Sequence, residues 1–383
     1  MKRNAITAEL RRSPLDRVRI LFLVSSMRGG GAERVIITLL EHIDRLRFEP
    51  HLGLVKAEGP YLNNIPEDVC FHDLKAVRAR YALPGIVRLA WRVRPQIIFS
   101  TTGQVNLALI LGKRLLPPRL RLLVRETTVV SSQLSDTPHP GAFLWLFRHL
   151  YRRADRVICP CDYSLVDLAK HFGVPRARLE RIYNPVDAER IERLARGGSP
   201  YTSAGPNLIA VGRLSKEKRL HLLIEAIPHV RRVLPTAELT ILGAGPLEAE
   251  LKTQCRRLGL DQAVHWAGFQ ENPYAYLRHA DLFVLVSRYE GLPNSLLEAL
   301  ALGTPSLAVD SPSGLREIAE TGCRLTLIPG GNAEALAEGV TRALARPKGS
   351  CLPKPAFYRR FGVQSVVTKY QDLFCEVLDG RAA

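Results

Sequence analysis

Short apolar, β-branched runs recur at residues 18–24, 51–55, 96–100, 121–124 and 156–159, and the stretches between them carry apolar residues at helical spacing. Strands separated by helices predict parallel βαβ units with right-handed crossovers. A second series follows Gly205, at residues 208–211, 238–242, 263–266, 282–286, 306–309 and 324–328. The expected fold class is therefore α/β, with two Rossmann-like, doubly wound parallel-sheet domains in tandem. Residues 195–206 are rich in Gly, Ser and Pro, which support neither a long helix nor a central strand. They divide the chain into an amino-terminal domain (1–194), a linker (195–206) and a carboxyl-terminal domain (207–355). Val366, Val367, Tyr370, Leu373, Phe374 and Val377 then repeat at helical spacing. Residues 356–383 are expected to form a helical segment that packs back on the first domain.

Composition fits this division. The 383 residues exceed the usual size of one core, and 46% hydrophobic with 24% charged residues is ordinary globular content. The seven cysteines are scattered and odd in number, as expected of reduced thiols, and Cys159-Pro-Cys161 lacks the second pair a zinc site needs. The polar, basic residues 1–17 and the short apolar run after them make a poor signal peptide, and no apolar run reaches the ~18 residues of a membrane span. A cytoplasmic location is expected.

Charge adds one more feature. Residues 1–200 hold 33 Lys/Arg against 19 Asp/Glu, and residues 201–383 hold 21 against 18, so most of the formal +17 belongs to the amino half. Such a field favours an anionic partner or merely keeps the chain soluble. The basic, aromatic stretches 111–121 and 143–153 are suited to resting on an anionic membrane surface, with ordinary packed helices as the alternative.

In open parallel sheets, ligands bind beyond the carboxyl ends of strands. Four predicted strand-to-helix loops lie there. Ser25-Ser-Met-Arg-Gly-Gly-Gly-Ala-Glu-Arg34 allows close backbone approach to a phosphate at a helix amino terminus, but it lacks the dinucleotide fingerprint. Gly212-Arg-Leu-Ser-Lys-Glu-Lys-Arg219 brings Arg213 and Lys218 to a site for phosphate oxygens, unless the run is only a solvated face. Gly243-Ala-Gly-Pro246 reads best as a tight turn. The fourth loop, Ser287-Arg-Tyr-Glu-Gly-Leu-Pro-Asn-Ser-Leu-Leu-Glu-Ala-Leu300, separates Glu290 from Glu298 by seven residues. With a helix starting near Asn294, Glu298 falls on its first turn and both carboxylates can face one cleft, where they can accept hydrogen bonds from sugar hydroxyls. The alternative for Glu298 is a capping box, Ser295-Leu-Leu-Glu298, in which it bonds only backbone.

Taken together, Gly-Gly-Gly-Ala-Glu-Arg34, Tyr183-Asn-Pro-Val186, Val211-Gly-Arg-Leu214 with Lys218, Gly268-Phe269, and Glu290 through Glu298 followed by Ala-Leu-Ala-Leu-Gly-Thr-Pro305 resemble glycosyltransferase family 4 over nearly the whole chain. That resemblance implies the GT-B architecture, two Rossmann-like domains facing a central cleft, and retaining transfer from a nucleotide sugar. It implies that Arg213 and Lys218 neutralise the donor diphosphate, Glu298 holds the ribose diol and Glu290 meets the transferred sugar. It further implies that Asn294, Ser295 and Leu296 touch phosphates or sugar through backbone, Phe269 flanks the base, and Gly30 and Gly31 close on the diphosphate from the other domain. Glu290, Arg213 and Lys218 are the expected catalytic group. No metal and no cofactor are implied.

Asn294 and Pro312-Ser-Gly-Leu-Arg-Glu317 resemble the subgroup that builds bacterial surface polysaccharide and lipid-linked oligosaccharide, commonly from UDP-sugars, including N-acetylhexosamines. The expected partners are a nucleotide-sugar donor and a glycan or lipid-linked acceptor, with no nucleic acid. No amino-domain histidine aligns securely beside the reaction centre. His139 is a weak candidate in a Pro-rich loop, and Arg125 with Glu126, directly after a strand, are better placed to touch donor or acceptor. The rival readings are a sugar-nucleotide epimerase or hydrolase of the same fold and a nucleic-acid-binding module. The second leaves Glu290 and Glu298 unexplained.

Overall fold

A computed structural model describes residues 17–137, 139–346 and 353–380. Residues 1–16, Pro138 and Cys351 lie outside the described residues. The first sheet holds seven parallel strands: β1 (Val18–Val24), β2 (Phe48–Leu54), β3 (Cys70–Asp73), β4 (Ile97–Ser100), β5 (Arg121–Arg125), β6 (Arg156–Cys159) and β7 (Leu179–Arg181), in the order β3-β2-β1-β4-β5-β6-β7. The second holds six: β8 (Asn207–Val211), β9 (Glu238–Leu242), β10 (Val264–Gly268), β11 (Leu282–Leu285), β12 (Ser306–Val309) and β13 (Leu325–Ile328), in the order β10-β9-β8-β11-β12-β13.

Apolar runs became strands where the sheet covers them on both faces, as in β1, β4 and β11. The two strands absent from the sequence reading, β3 and β7, are the sheet's edges. β3 is largely exposed and β7 is three residues long, so neither needs an apolar pattern. Strand order reverses between β1 and β4 in one sheet and between β8 and β11 in the other. The crevice at such a reversal is where open α/β sheets take ligands, and in the second sheet the loops after β8 and β11 line it.

The helices Pro355–Phe361 and Val363–Leu378 return the chain to the first sheet. Val186 and Gly362 form a parallel bridge, and Val363 N donates to the Val186 carbonyl at 2.9 Å. Phe374 then packs edge-on against Phe22, Phe48 and Phe99, with ring centroids 6.0–6.4 Å apart, and Tyr370 meets Phe99 at 5.6 Å. All five rings are buried. The last helix is thus core of the first domain, although it follows the second in sequence.

Candidate active site

The loops after β8 and β11 meet at the mouth of the second sheet. Leaving β8, the chain passes Arg213 and makes one short turn at Lys216–Lys218. Lys218 Nζ forms an ion pair with Glu290, which arrives from the loop after β11 and is buried. Arg213 is exposed, and its guanidinium donates no hydrogen bond among the described residues. Gly243 and Gly245 allow this arrangement: a Cβ on either would overlap backbone of Gly212 or Leu214. The tight-turn reading of that loop therefore has a definite reason, the close approach of the two turns.

The helix Asn294–Ala301 begins beside these groups, and no side chain caps it. Its first N–H groups have no partner within the helix and point outward with the positive end of the helix dipole. The capping-box alternative is not realised. Ser295 Oγ donates to the Val211 carbonyl at 3.2 Å, while Glu298 turns away from the backbone to accept from Arg34 Nη1. Glu298 also lies one residue beyond the first turn on which it was expected. It is only 4% exposed, and its second oxygen, Oε2, has no hydrogen-bond partner among the described residues. A buried acceptor left unpaired is costly, about 1–3 kcal/mol, and such atoms tend to mark places where a ligand or water completes the bonding.

The opposite wall comes from the first domain. Gly30 and Gly31 lead into the helix Gly31–His42, and the Gly31 carbonyl accepts from Asn294 Nδ2 at 2.8 Å. Phe269 lies against Gly29 at the lip, with its ring centroid 6.3 Å from that of Tyr61. Glu33 folds back toward Gly30; burial raises its pKa, and backbone hydrogen bonds at Glu33 and Gly30 and the charge of Arg213 oppose that rise. Arg213 is thus within electrostatic reach of Glu33, which belongs to the other domain. Lower in the cleft, Gly291 touches the Thr127 carbonyl so closely that a Cβ there would overlap it and approach Pro160 Cγ at 2.9 Å.

Three expected contacts fall elsewhere. Arg125 is 1% exposed and donates to Thr101 Oγ1 at 3.1 Å and to Asn184 Oδ1. Glu126 is buried, accepting from Tyr151 and from Asn106 Nδ2 at 3.0 Å. Both belong to the interior of the first domain, because β5 lies between β4 and β6 and its carboxyl end is covered by the helices Gly103–Leu111 and Pro140–Leu150. Burial pushes the Glu126 carboxyl up to about 7, against the opposing hydrogen bonds of Tyr151 and Asn106. His139 is exposed at the start of Pro140–Leu150 and does not join the bonded cluster among the described residues. In the same loop Asp136 reaches across instead, pairing with Arg288 and accepting from the Tyr289 hydroxyl at 2.8 Å.

Two residues of the cleft were absent from the expected site. Asn184 donates to the Leu292 carbonyl at 2.8 Å and to Asn294 Oδ1 at 2.5 Å, carrying the buried Arg125 network to the start of the helix Asn294–Ala301. Arg34 spans the domains from Tyr61 to Glu298. The only sequence signal for either was membership of a quoted motif, Tyr183-Asn-Pro-Val186 or Gly-Gly-Gly-Ala-Glu-Arg34.

Comparison with known proteins agrees with this layout. A Glycosyltransferase Family 4 model matches residues 29–190, and a model for Glycosyl transferases group 1 matches residues 201–354. The chain is similar to an N-acetylgalactosamine-N,N'-diacetylbacillosaminyl-diphospho-undecaprenol 4-alpha-N-acetylgalactosaminyltransferase of Campylobacter jejuni, 29% identical over 77% of this chain and 81% of that one. An uncharacterized glycosyltransferase of Methanocaldococcus jannaschii is 30% identical over 71% of this chain and 69% of its own. Among solved structures, Anabaena HepE in complex with UDP and glucose superposes with a TM-score of 0.78, at 21% identity, over 94% of this chain and all of that one. Sucrose-phosphate synthase from Thermosynechococcus elongatus does so at 0.77 and 17% identity, over 95% of this chain and all of its own. With both halves matched in sequence and the two-sheet arrangement shared, the chain belongs to glycosyltransferase family 4 and has the GT-B fold.

Proposed function

We propose that this glycosyltransferase moves a hexose or N-acetylhexosamine from a UDP-sugar to a glycan or lipid-linked acceptor of the cell envelope, with retention at the anomeric carbon and without a metal ion. The observation that carries the reading is the convergence of three features on one crevice: the Arg213 guanidinium, which donates no hydrogen bond among the described residues, the Lys218–Glu290 pair and the half-satisfied carboxylate of Glu298. Cations on one loop and acceptors on the next are the complement of a diphosphate flanked by two sets of hydroxyls. The relative whose name specifies an N-acetylgalactosaminyl group and a diphospho-undecaprenol acceptor supports the choice of sugar and acceptor class, and the HepE complex supports UDP.

In this reading, negative charge grows on the departing diphosphate as the bond to the sugar breaks. Arg213, Lys218 and the free N–H groups at Asn294, Ser295 and Leu296 meet that charge, so electrostatic stabilisation is the main term. The acceptor hydroxyl enters on the face the nucleotide leaves, and the leaving phosphate takes its proton. Glu290 orients the transferred sugar, Phe269 flanks the base, and Gly30 and Gly31 close over the diphosphate. Peripheral docking on the inner face of an anionic membrane is part of the proposal. Lys113 Nζ donates to the Arg153 carbonyl at 2.9 Å, which brings the two basic segments together, and Leu111, Leu115, Trp145, Arg114 and Arg148 are all exposed there. Among the described residues no helix is long and apolar enough to cross a membrane.

A thermal-shift screen against UDP-, GDP- and ADP-sugars tests the donor, because a ligand that binds the native state raises apparent stability. Product analysis with an undecaprenyl-diphosphate-linked sugar as acceptor then gives the anomeric configuration. Inversion refutes retention, and donor hydrolysis or epimerisation without transfer refutes the transferase chemistry. Flotation with no preference for anionic liposomes removes the membrane part.

A further inference from the structure

We infer that Arg34, in the first domain, is a positioning residue for the nucleotide: it holds Glu298 of the second domain so that Oε2 alone is left to take a ribose hydroxyl. The inference rests on the proposed role of Glu298 as reader of the ribose diol.

The geometry is specific. Glu298 is nearly fully buried, accepts from Arg34 Nη1 at Oε1 and leaves Oε2 without a partner among the described residues. Arg34 is itself braced: Nε donates to the Tyr61 hydroxyl at 3.0 Å, and the guanidinium carbon lies 5.5 Å from the Tyr61 ring centroid and 5.8 Å from that of Tyr274. Tyr274 comes from the second domain, so the guanidinium lies near rings from both sides of the cleft. A planar fork held at its edge by the Tyr61 hydroxyl and close to two aromatic rings fixes the carboxylate's rotation as a flexible ammonium cannot. One turn away, the Gly31 carbonyl accepts from Asn294 Nδ2, tying the start of the same helix to the start of the helix that carries Glu298. Ribose reading thereby depends on the two domains being closed. A separated domain would leave Glu298 free to rotate, and its preference for the diol would fall.

The test is calorimetric titration of the whole chain with UDP and with 2′,3′-dideoxy-UDP, in the wild type, Arg34→Gln, Arg34→Lys and Glu298→Gln. Hydrogen bonds to a charged acceptor predict that the wild type prefers UDP by about tenfold or more. Arg34→Gln should lose most of that preference while its affinity for the dideoxy ligand changes by less than about threefold. Arg34→Lys should recover part of the preference, and Glu298→Gln should lose it. The ratio of the two affinities is the readout, because a general loss of folding lowers both together. A wild-type ratio near one refutes the ribose role of Glu298 and the inference with it. A ratio lost in Glu298→Gln but kept in Arg34→Gln leaves that role standing and overturns the inference alone. Tighter UDP binding by Arg34→Gln also overturns it, since Arg34 would then be occupying the site rather than preparing it.

Discussion

Replacing Arg213 by Ala should separate catalysis from folding. The guanidinium is exposed and unbonded to protein among the described residues, so its removal breaks no native hydrogen bond. Surface changes of that kind usually stay within about 0.5 kcal/mol, which corresponds to roughly 1–2 °C in Tm for a domain of this size. Its proposed task is different in scale. A fixed donor aimed at charge that develops only in the transition state contributes about 2.7–4 kcal/mol, or roughly 10²–10³ in kcat. Arg213→Lys keeps the charge but loses the fork and should fall between the two. Removing Arg213 also takes away one influence that opposes the rise in Glu33's pKa, so Glu33→Gln is the control for an indirect effect. The assay is initial-rate release of nucleoside diphosphate at saturating donor and acceptor, beside a melting curve for each variant. A kcat within about threefold of wild type would refute the assignment, as would a loss of rate that merely tracks a loss of Tm.

Lys218 gives the opposite pattern, because Lys218→Met strands the buried Glu290 carboxylate; a stability loss of about 1–3 kcal/mol is expected, largely restored in Lys218→Met/Glu290→Gln while activity stays low. Urea titrations of both variants and of the double variant check this, and a double variant as unstable as the single would contradict it. Glu126 supplies a pH dependence. Its folded pKa is about 7 against an ordinary 4.5, so the folded state binds the extra proton between those values and stability falls as pH rises through them, by up to about 3 kcal/mol. Glu126→Gln keeps an acceptor for Tyr151 and should flatten the profile of urea midpoint between pH 4.5 and 7; an unchanged slope would show that other groups titrate there. Gly291→Ala forces a Cβ against the Thr127 carbonyl and Pro160, so overpacking of about 1–3 kcal/mol should fall on closure of the cleft. kcat/KM should drop by about tenfold or more with little change in Tm, and wild-type kinetics would refute the contact's importance.

The sequence disclosed what local pattern controls. Strands buried on both faces were legible as apolar runs, and so were the second sheet's edges β10 and β13, which still carry apolar residues, whereas the first sheet's edges β3 and β7 were not: one is largely exposed, the other is three residues long, and an edge carries no requirement for such a run. The same distinction holds in the cleft. Arg213, Lys218 and Glu290 sit on two loops of the same sheet, each following a strand, and Glu298 sits on the helix that the second loop leads into, so strand-to-helix connections fix roughly where these side chains go. The link from Arg34 to Glu298 spans 264 positions and depends on how two domains face each other, which no periodicity encodes. Arg125 and Glu126 show the error in the other direction. They sit at a strand's carboxyl end as ligand-binding residues often do, yet Asn106 on one neighbouring helix and Tyr151 at the end of another turn Glu126 inward, and Thr101 and Asn184 take Arg125. Position at a strand's carboxyl end was informative; the burial of that end was decided by helices whose packing the pattern alone does not specify.

The two domains are joined by contacts of different kinds, and the difference has a consequence for closure. At the base, the last helix buries Tyr370 and Phe374 among Phe22, Phe48 and Phe99, so the chain that leaves the second domain is anchored in the core of the first. Across the cleft the ties include polar pairs: Arg34 with Glu298, Asn294 with Gly31 and Asn184, Asp136 with Arg288. Apolar packing is lost only by exposing that area to water, whereas polar ties in a cleft can be exchanged for water at small net cost. Motion is therefore expected to pivot near Val186 and Gly362, where the chain crosses back, and to open at the mouth. The Arg34 pair engages a buried carboxylate whose second oxygen has no hydrogen-bond partner among the described residues, so a ligand that satisfies Oε2 favours the closed form through Glu298.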